Sequence, residues 1–283
     1  MNTQTPRLAA SSYSNTAPLI WSFLYGSNHG KVELVLDNAP SRSSELLEQG
    51  RVDAALVPVI ASQFIDGINV VPSVCVGAKE RVRSVCLVTQ GKGPEEVRSV
   101  ALDVSSRTSV VLTKIIFREF FGFEPKWRDA TPNIDAMLSE SDAALLIGDP
   151  ALAISRFESG ASDPYLKSSF PDLRTFDLAE LWHRHTGLGF VFAMWMTRHK
   201  TLRIDLAAAR DEGLVHIEEI TGNYRGQLPL GDDEMKEYLT ANISYEPDES
   251  MRKGMDLFFR LAEKNDLIPS VRSVSYLDQS IPD

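Results

Sequence analysis

Polar residues cluster at three places where an apolar, strand-like run gives way to a helix-like one. These corners are Ser11–Pro18, Ser105–Ser109 and Ile147–Leu152. A helix N-terminus presents unpaired N–H groups and the positive end of the helix dipole, so it can bind a carboxylate or phosphate without a basic surface. Open α/β sheets bind ligands at the carboxyl ends of their strands. We therefore predict that the three corners together bind a small acidic molecule.

The second corner is the best candidate for an anion site. Four residues follow the strand-like run Val100–Asp103: Ser105, Ser106, Arg107 and Thr108. They bring hydroxyls, amides and a guanidinium to the start of a helix. Ordinary N-capping is the alternative interpretation, because serine is a favoured N-cap residue. One serine would suffice for a cap, but this segment alone leaves both interpretations open.

The other two corners offer fewer candidates. In the first, Asn15 or Thr16 can simply cap the helix-like run that follows. In the third, Gly148 lets the backbone approach a ligand closely. Asp149 is predicted to cap a helix whose first residue is Pro150.

No standard catalytic or metal-binding signature occurs in the chain. The patterns G-x-S-x-G, G-x-G-x-x-G and H-E-x-x-H and the phosphate-binding P-loop are missing. His183 and His185 point to different faces of a helix, and no cysteine or carboxylate lies at ligand spacing from them. We therefore predict neither a metal nor a cofactor.

Composition and charge exclude several classes of protein. The chain has 283 residues, is 43% hydrophobic and carries a net charge of −10, which together indicate a globular protein and argue against binding to nucleic acid or anionic lipid. The longest apolar run, Leu188–Met196, is too short to span a membrane. Because the N-terminus lacks a signal sequence and the two cysteines lie in apolar runs, we expect reduced thiols and a cytoplasmic protein.

Strand-like and helix-like runs alternate along most of the chain, which predicts an α/β fold. The predicted strands are Ala54–Val59, Val70–Val76, Ser84–Thr89, Ser99–Leu102, Ala143–Ile147 and Phe190–Met196. The predicted helices are Ser43–Gln49, begun by Ser41 and ended by Gly50; Ser106–Phe121, begun by Ser105 and ended by Gly122; and Thr201–Thr221, Asp232–Ala241 and Asp248–Lys264 in the C-terminal third.

No polar linker divides the chain, although its length favours two domains. We therefore expect the chain to pass between two lobes along the extended segments Arg83–Thr89 and Gly187–Met196. The first lobe would comprise residues 1–88 and 190–283, and the second residues 89–189. A ligand would lie in the cleft between the lobes. On pattern alone, the chain is a two-lobed protein that binds a small carboxylate.

Five segments together resemble the chorismate dehydratase family of menaquinone biosynthesis. They are Ser12–Pro18, Arg83–Leu87, Ser105–Val110, Leu146–Leu152 and Thr186–Trp195, in matching order and spacing. The resemblance implies a two-lobed periplasmic-binding-protein type 2 (Venus-flytrap) fold with two crossing strands. It also implies a carbon–oxygen lyase that converts chorismate to 3-[(1-carboxyvinyl)oxy]benzoate and water in the futalosine pathway.

The resemblance also suggests which residues act in the site. Asn15 and Ser84 are expected to be catalytic, and the predicted substrate-binding residues are Ser105, Ser106, Arg107, Thr108, Ser41, Gly148 and Asp149. A carboxamide has no pKa near neutral pH, so Asn15 is expected to orient the substrate rather than act as a base. Our hypothesis is that the enolpyruvyl carboxylate of chorismate itself takes the C3 proton.

Two other functions remain open from the sequence. A sister family makes 1,4-dihydroxy-6-naphthoate in the same pathway and is expected to use a histidine late in its second lobe, for which His183 and His185 are the candidates. A non-catalytic protein that binds a small carboxylate would share the fold.

Overall fold

The computed structural model describes residues 5–155 and 172–278, which form two five-stranded sheets. The first contains β1 (Arg7–Ser11), β2 (Glu33–Asp37), β3 (Ala54–Pro58), β4 (Asn69–Ala78) and β10 (Phe190–Thr197), in the order β2-β1-β3-β10-β4. The second contains β5 (Val85–Gln90), β6 (Ser99–Asp103), β7 (Lys126–Ala130), β8 (Ala143–Ile147) and β9 (Leu173–Asp177), in the order β7-β6-β8-β5-β9.

The two sheets share one topology. In each, three neighbouring strands are parallel, and the fourth strand, β10 or β5, runs antiparallel to both of its neighbours. Each of these antiparallel strands comes directly after the chain has left the other sheet. The chain leaves the first sheet through residues 79–84, the outward crossing, and comes back through residues 187–189, the return crossing. The sheets therefore have the two-lobed arrangement that the sequence predicts.

The crossing segments are shorter than predicted. Both β5 and β10 pair within a single sheet, so neither strand is shared between the lobes. The predicted domain boundary at residue 88 falls inside β5, and the change of sheet comes before Val85. The extents of the two lobes as folding domains stay a prediction.

Ten α-helices pack around the sheets in the described residues. They are α1 (Ala17–Leu24), α2 (Pro40–Glu48), α3 (Thr108–Ile115), α4 (Ile134–Glu140), α5 (Gly148–Ile154), α6 (Leu178–Thr186), α7 (Leu206–Val215), α8 (Ile217–Asn223), α9 (Asp232–Glu237) and α10 (Glu249–Lys264). A π-helical turn, Ile116–Phe121, extends α3 and ends at Gly122, whose φ is +74°. Gly122 therefore ends this helix as predicted. No helix in the described ranges is both long and apolar enough to cross a membrane.

The prediction of strands succeeds where a strand is buried on both faces. Each predicted strand matches an observed one with ends that differ by at most two residues. The strand β1 was implied by the first corner but given no bounds, and three further strands, all at sheet edges, escaped detection: β2, β7 and β9. Their residues are mostly half-buried or exposed, and the longest apolar run among them is the three residues Leu34–Leu36 of β2.

The helix α10 packs against the return crossing and the first sheet. Its buried residues Met251, Met255, Phe258 and Phe259 recur at the spacing of one helix face. Gly254 lies on the same buried face, where a Cβ atom would overlap the carbonyl oxygen of Gly189. The close packing of helix and crossing therefore depends on the absence of a side chain at residue 254.

We predict that Gly254→Ala destabilises the protein and that Gly222→Ala does not. The overlap at residue 254 forces the backbones apart, and overpacking of this kind costs about 1–3 kcal/mol. A Cβ atom at Gly222 in α8 would meet nothing within 4 Å, so alanine there should be neutral or raise the free energy of unfolding by up to about 1 kcal/mol. Urea denaturation of both variants measures the difference, and equal stabilities would contradict the packing described.

Candidate functional site

A cavity lies between the lobes. The carboxyl ends of β1, β3 and β8, the start of α3 and the middle of β10 surround it, as expected for ligand sites in open α/β sheets. The lining residues are Ser11, Tyr13, Asn15, Thr16, Pro40, Leu56, Pro58, Val76, Ser84, Val85, Ser106, Thr108, Ser109, Ile147, Gly148, Phe192 and Ala193.

The described residues that line the cavity present hydrogen-bonding groups but no formal charge. Among the described residues that line it, none is an aspartate, glutamate, lysine, arginine or histidine. Its polar side chains are the hydroxyls of serine, threonine and tyrosine and the amide of Asn15. A bound carboxylate would therefore meet neutral donors only.

Five predicted site residues line the cavity together. They are Asn15, Ser84, Ser106, Thr108 and Gly148, and they come from all three corners and from the outward crossing. Both predicted catalytic residues are in this group. Their roles stay predictions, but the convergence of separate corners follows the expectation from the strand ends.

Three of the remaining predicted residues, Ser41, Ser105 and Arg107, do not line the cavity. The helix α2 begins at Pro40, so Ser41 does not begin it; instead the Ser41 N–H donates to the carbonyl of Ser105 across the lobes at 3.2 Å. The Ser105 hydroxyl donates to the Asp103 carboxylate at 2.6 Å. Arg107 is half-buried and is not among the lining residues.

The prediction that Asp149 caps its own helix is wrong. The helix α5 begins at Gly148 and has no side-chain cap. The Asp149 carboxylate instead accepts hydrogen bonds from the Ser14 N–H at 3.0 Å and the Ser14 hydroxyl at 2.5 Å, which belong to the other lobe. Burial raises the pKa of Asp149. This contact fixes the loop that carries Asn15, one residue further along the chain.

The start of α3 combines capping with cavity lining. The Ser106 hydroxyl accepts the N–H of Ser109 at 3.2 Å, which is the capping interpretation of this corner. The Thr108 hydroxyl accepts the N–H of Ile60 from the first lobe at 3.3 Å. Since both hydroxyls also line the cavity, capping and ligand binding are compatible at this corner.

Ser84 and Asn15 share a buried polar neighbour. The hydroxyl of Tyr238 lies beside both side chains, and their polar groups lower its pKa against the larger, opposite effect of burial. None of them reaches hydrogen-bonding geometry, so this hydroxyl has no partner within the described residues. The Ser84 carbonyl accepts the N–H of Gly148 at 2.8 Å, which ties the outward crossing to the third corner.

The ring of Tyr13 forms one wall and was not predicted. It lies against Gly148, where a Cβ atom would come within 2.7 Å of the ring and the φ of +63° also favours glycine. Burial raises the pKa of Tyr13 to about 12, so its phenol stays neutral near neutral pH. Sequence reasoning also passed over Ser11, Thr16 and Ser109, although all lie in the polar corners that it singled out.

One buried carboxyl stands behind the cavity. Asp103, at the end of β6, is fully buried, and burial raises its pKa. Its Oδ1 atom accepts the N–H of Ser105 at 2.9 Å as well as the Ser105 hydroxyl. It does not line the cavity, so its negative charge is separated from any ligand by Ser105.

The two histidines of α6 lie away from the cavity. The Nδ1 atom of His183 is 3.3 Å from the carbonyl oxygen of Leu188, and the ring of His185 stacks on Phe120. Neither lines the cavity. Within residues 5–155 and 172–278, no three His, Cys, Asp or Glu side chains are grouped so that they could hold a metal ion.

We predict that Ser14 and Asp149 stabilise each other across the lobes. A hydrogen bond to a charged group contributes about 1.5–3 kcal/mol. The double variant S14A/D149A should therefore lose less free energy of unfolding than the sum of the losses in S14A and D149A, and the difference should be of this size. The free energy of unfolding in urea measures the coupling. The control pair is D149A with S139A, because Ser139 is an exposed residue of α4. Additive losses in S14A/D149A would contradict the contact.

Comparison with known proteins gives a consistent result. The chain is 32% identical over 262 residues to the chorismate dehydratase of Thermus thermophilus, covering 87% of this chain and 91% of that protein. The structure is similar to protein AF1704 from Archaeoglobus fulgidus, with a TM-score of 0.72 at 14% identity, covering 95% of this chain and all of the other.

A second solved structure shows the fold. The ligand-binding component of an ABC-type import system from Staphylococcus aureus, solved with zinc bound, has a TM-score of 0.66 at 15% identity and covers 99% of this chain and 98% of its own. The fold is therefore that of the periplasmic binding proteins. A family described as menaquinone biosynthesis matches residues 6–264, and the chain belongs to this family.

Proposed function

We propose that this protein is a chorismate dehydratase, which converts chorismate to 3-[(1-carboxyvinyl)oxy]benzoate and water. The observation that carries the proposal is the cavity whose described lining is uncharged and includes both Asn15 and Ser84. The relative from Thermus thermophilus, similar over nearly its whole length, bears the name of this activity. The cavity lies between the two lobes, where small-molecule sites are commonly found.

In this reaction the protein mainly positions the substrate and stabilises the charge that develops on it. The C3–H and C4–O bonds break, the C3 proton and the C4 hydroxyl leave together as water, and the ring becomes aromatic. Negative charge that develops on the way to the product is delocalised into the ring carboxylate. Preorganised donors around that carboxylate stabilise the transition state, and each can contribute about 2.7–4 kcal/mol.

The uncharged cavity favours a base supplied by the substrate. Transfer of a carboxylate into surroundings without a cation raises its pKa and makes it a stronger base. In the proposed mechanism the enolpyruvyl carboxylate of chorismate takes the C3 proton, because no side chain of the described lining can do so near neutral pH. The neutral phenol of Tyr13 and the amide of Asn15 orient the substrate.

The hydroxyls of the second lobe suit the ring carboxylate. Ser106 and Thr108 stand at the start of α3, where the helix dipole adds a positive potential. Ser84 faces the same cavity from the outward crossing. Closure of the lobes excludes water and strengthens these interactions.

The positions of the histidines favour this reaction over that of the sister family. The candidates His183 and His185 contact Leu188 and Phe120, respectively, and do not line the cavity. A purely binding protein would use the same donors but release its ligand unchanged, and the first experiment below separates the two.

We predict that the purified protein converts chorismate to an aromatic product and that N15A and S84A are impaired. The loss of one preorganised donor lowers kcat by about 10²–10³-fold. Ultraviolet absorbance and mass spectrometry follow the product. The matched control is S139A, which removes a hydroxyl that does not line the cavity and should retain the parent rate. Unaltered chorismate would make the protein a binder, and unimpaired N15A and S84A would refute the assignment of these residues.

We further predict that a chorismate analogue with a methyl ester on its enolpyruvyl group is not dehydrated at a comparable rate. Loss of a general base lowers the rate by about 10²–10⁴-fold. The variant D103N tests the buried carboxyl behind the cavity as a competing base, and it should impair chorismate turnover less than esterification does. Rapid turnover of the ester by the parent, together with loss of chorismate turnover in D103N, would show that the protein supplies the base.

A further inference from the structure

The outward crossing contains a strained turn directly before Ser84. The backbone N–H of Ser84 donates to the carbonyl of Val82 at 2.8 Å, two residues back, and the residue between them, Arg83, has a φ of +62°. A two-residue hydrogen bond around a positive central φ is a γ-turn of the rare, strained kind. The other non-glycine residues with positive φ in the described ranges are aspartates, which tolerate it better than arginine.

A single carboxylate holds this turn. The Oδ2 atom of Asp177, at the end of β9, accepts the N–H of Val82 at 3.0 Å and the N–H of Arg83 at 2.5 Å. Its Oδ1 atom accepts the first free N–H groups of α6, from Ala179 at 2.9 Å and Glu180 at 3.1 Å. Asp177 is only 3% exposed. It thus binds the crossing to a helix of the second lobe through four backbone donors.

The turn determines where Ser84 stands. Ser84 is the last residue before β5; its carbonyl accepts the N–H of Gly148, and its side chain lines the cavity. If Arg83 relaxed to a negative φ, the following peptide would rotate and displace the Ser84 side chain. Backbone strain of this kind persists only where the surrounding structure enforces it, and it is concentrated at functional sites.

We propose that Asp177 is a positioning residue for Ser84, acting through the strained turn at Arg83. The inference rests on the proposed function only for the role of Ser84 in turnover. Asp177 touches neither the cavity nor a ligand within it, so it is not a catalytic residue. A displacement of about 1 Å in a positioned group can lower a rate about 10²-fold.

Asp177 also caps α6, so loss of the carboxylate alone would not separate positioning from stability. Residue 83 provides the separation. Glycine adopts a positive φ without strain, whereas alanine removes the same arginine side chain but keeps the Cβ atom that disfavours it. A glycine at residue 83 should therefore maintain the turn without Asp177, and an alanine should not.

The experiment compares D177N, D177N/R83G and D177N/R83A with S84A and the parent in chorismate turnover. We expect D177N to lower kcat about 10- to 100-fold with KM changed by less than about threefold. R83G should restore at least half of the lost activity on a logarithmic scale, and R83A should restore none. The melting temperatures of all variants are measured as well. They show whether R83G restores turnover without restoring stability.

Two outcomes overturn the inference. Full turnover by D177N while S84A is impaired would show that Ser84 needs no such support, and equal effects of R83G and R83A would show that the strained φ is irrelevant. If D177N does not fold, R83P breaks the turn without removing the cap of α6, since proline cannot adopt a positive φ. R83P should then match S84A in turnover, and parent-like turnover overturns the inference.

The geometry can be tested without any turnover. A crystal structure of D177N should show residue 83 at a negative φ and a displaced Ser84, whereas an unchanged turn would overturn the inference. This result is independent of the reaction. Failure of the parent to convert chorismate would refute the proposed function, while the crystal structure would still decide whether Asp177 holds the turn.

Discussion

The site depends on two lobes that meet around a cavity whose described lining contains no charged side chain. An acidic ligand is poorly held by neutral donors in water, but the same donors act strongly once water is excluded. The contact of Ser14 with Asp149 therefore has a consequence beyond stability. It joins the loop that carries Asn15 to the helix that follows Gly148, and so brings one wall of the cavity against the other.

Two further hydrogen bonds cross between the lobes: the Ser41 N–H donates to the Ser105 carbonyl, and the Ile60 N–H donates to the Thr108 hydroxyl. A third, from the Gly148 N–H to the Ser84 carbonyl, joins the third corner to the outward crossing. Each pairs a residue of the cavity or its rim with an element from another part of the chain. Charged groups stay behind this layer: the Asp103 carboxylate is shielded by Ser105, and Asp149 by Ser14. Since no lysine, arginine or histidine is among the described residues that line the cavity, a carboxylate bound there would retain its basicity, which is the property that the proposed mechanism requires.

The sequence predicts some features of this site and not others, and the difference has physical reasons. Strand ends and helix starts are local features, so the three corners and their convergence could be inferred from the order of apolar runs and hydroxyls. Which hydroxyl enters the cavity is decided by competing partners: Ser105 donates to Asp103, whereas Ser106 and Thr108 face the cavity. The pairing of Asp149 with Ser14 spans 135 residues of sequence, and no local pattern reveals it. The edge strands β2, β7 and β9 were missed for the related reason that their sequences carry no apolar run longer than three residues.

We propose that the cavity binds its acidic ligand through uncharged donors and leaves the proton transfer to the ligand. A crystal structure of the protein with 3-[(1-carboxyvinyl)oxy]benzoate bound would test this mechanism. We expect the product between the lobes, with its ring carboxylate on the hydroxyls and amides at the start of α3 and its enolpyruvyl carboxylate folded toward C3 of the ring. An arginine or lysine side chain on either carboxylate, a protein carboxylate or histidine at C3, or a product bound outside the cavity would contradict it.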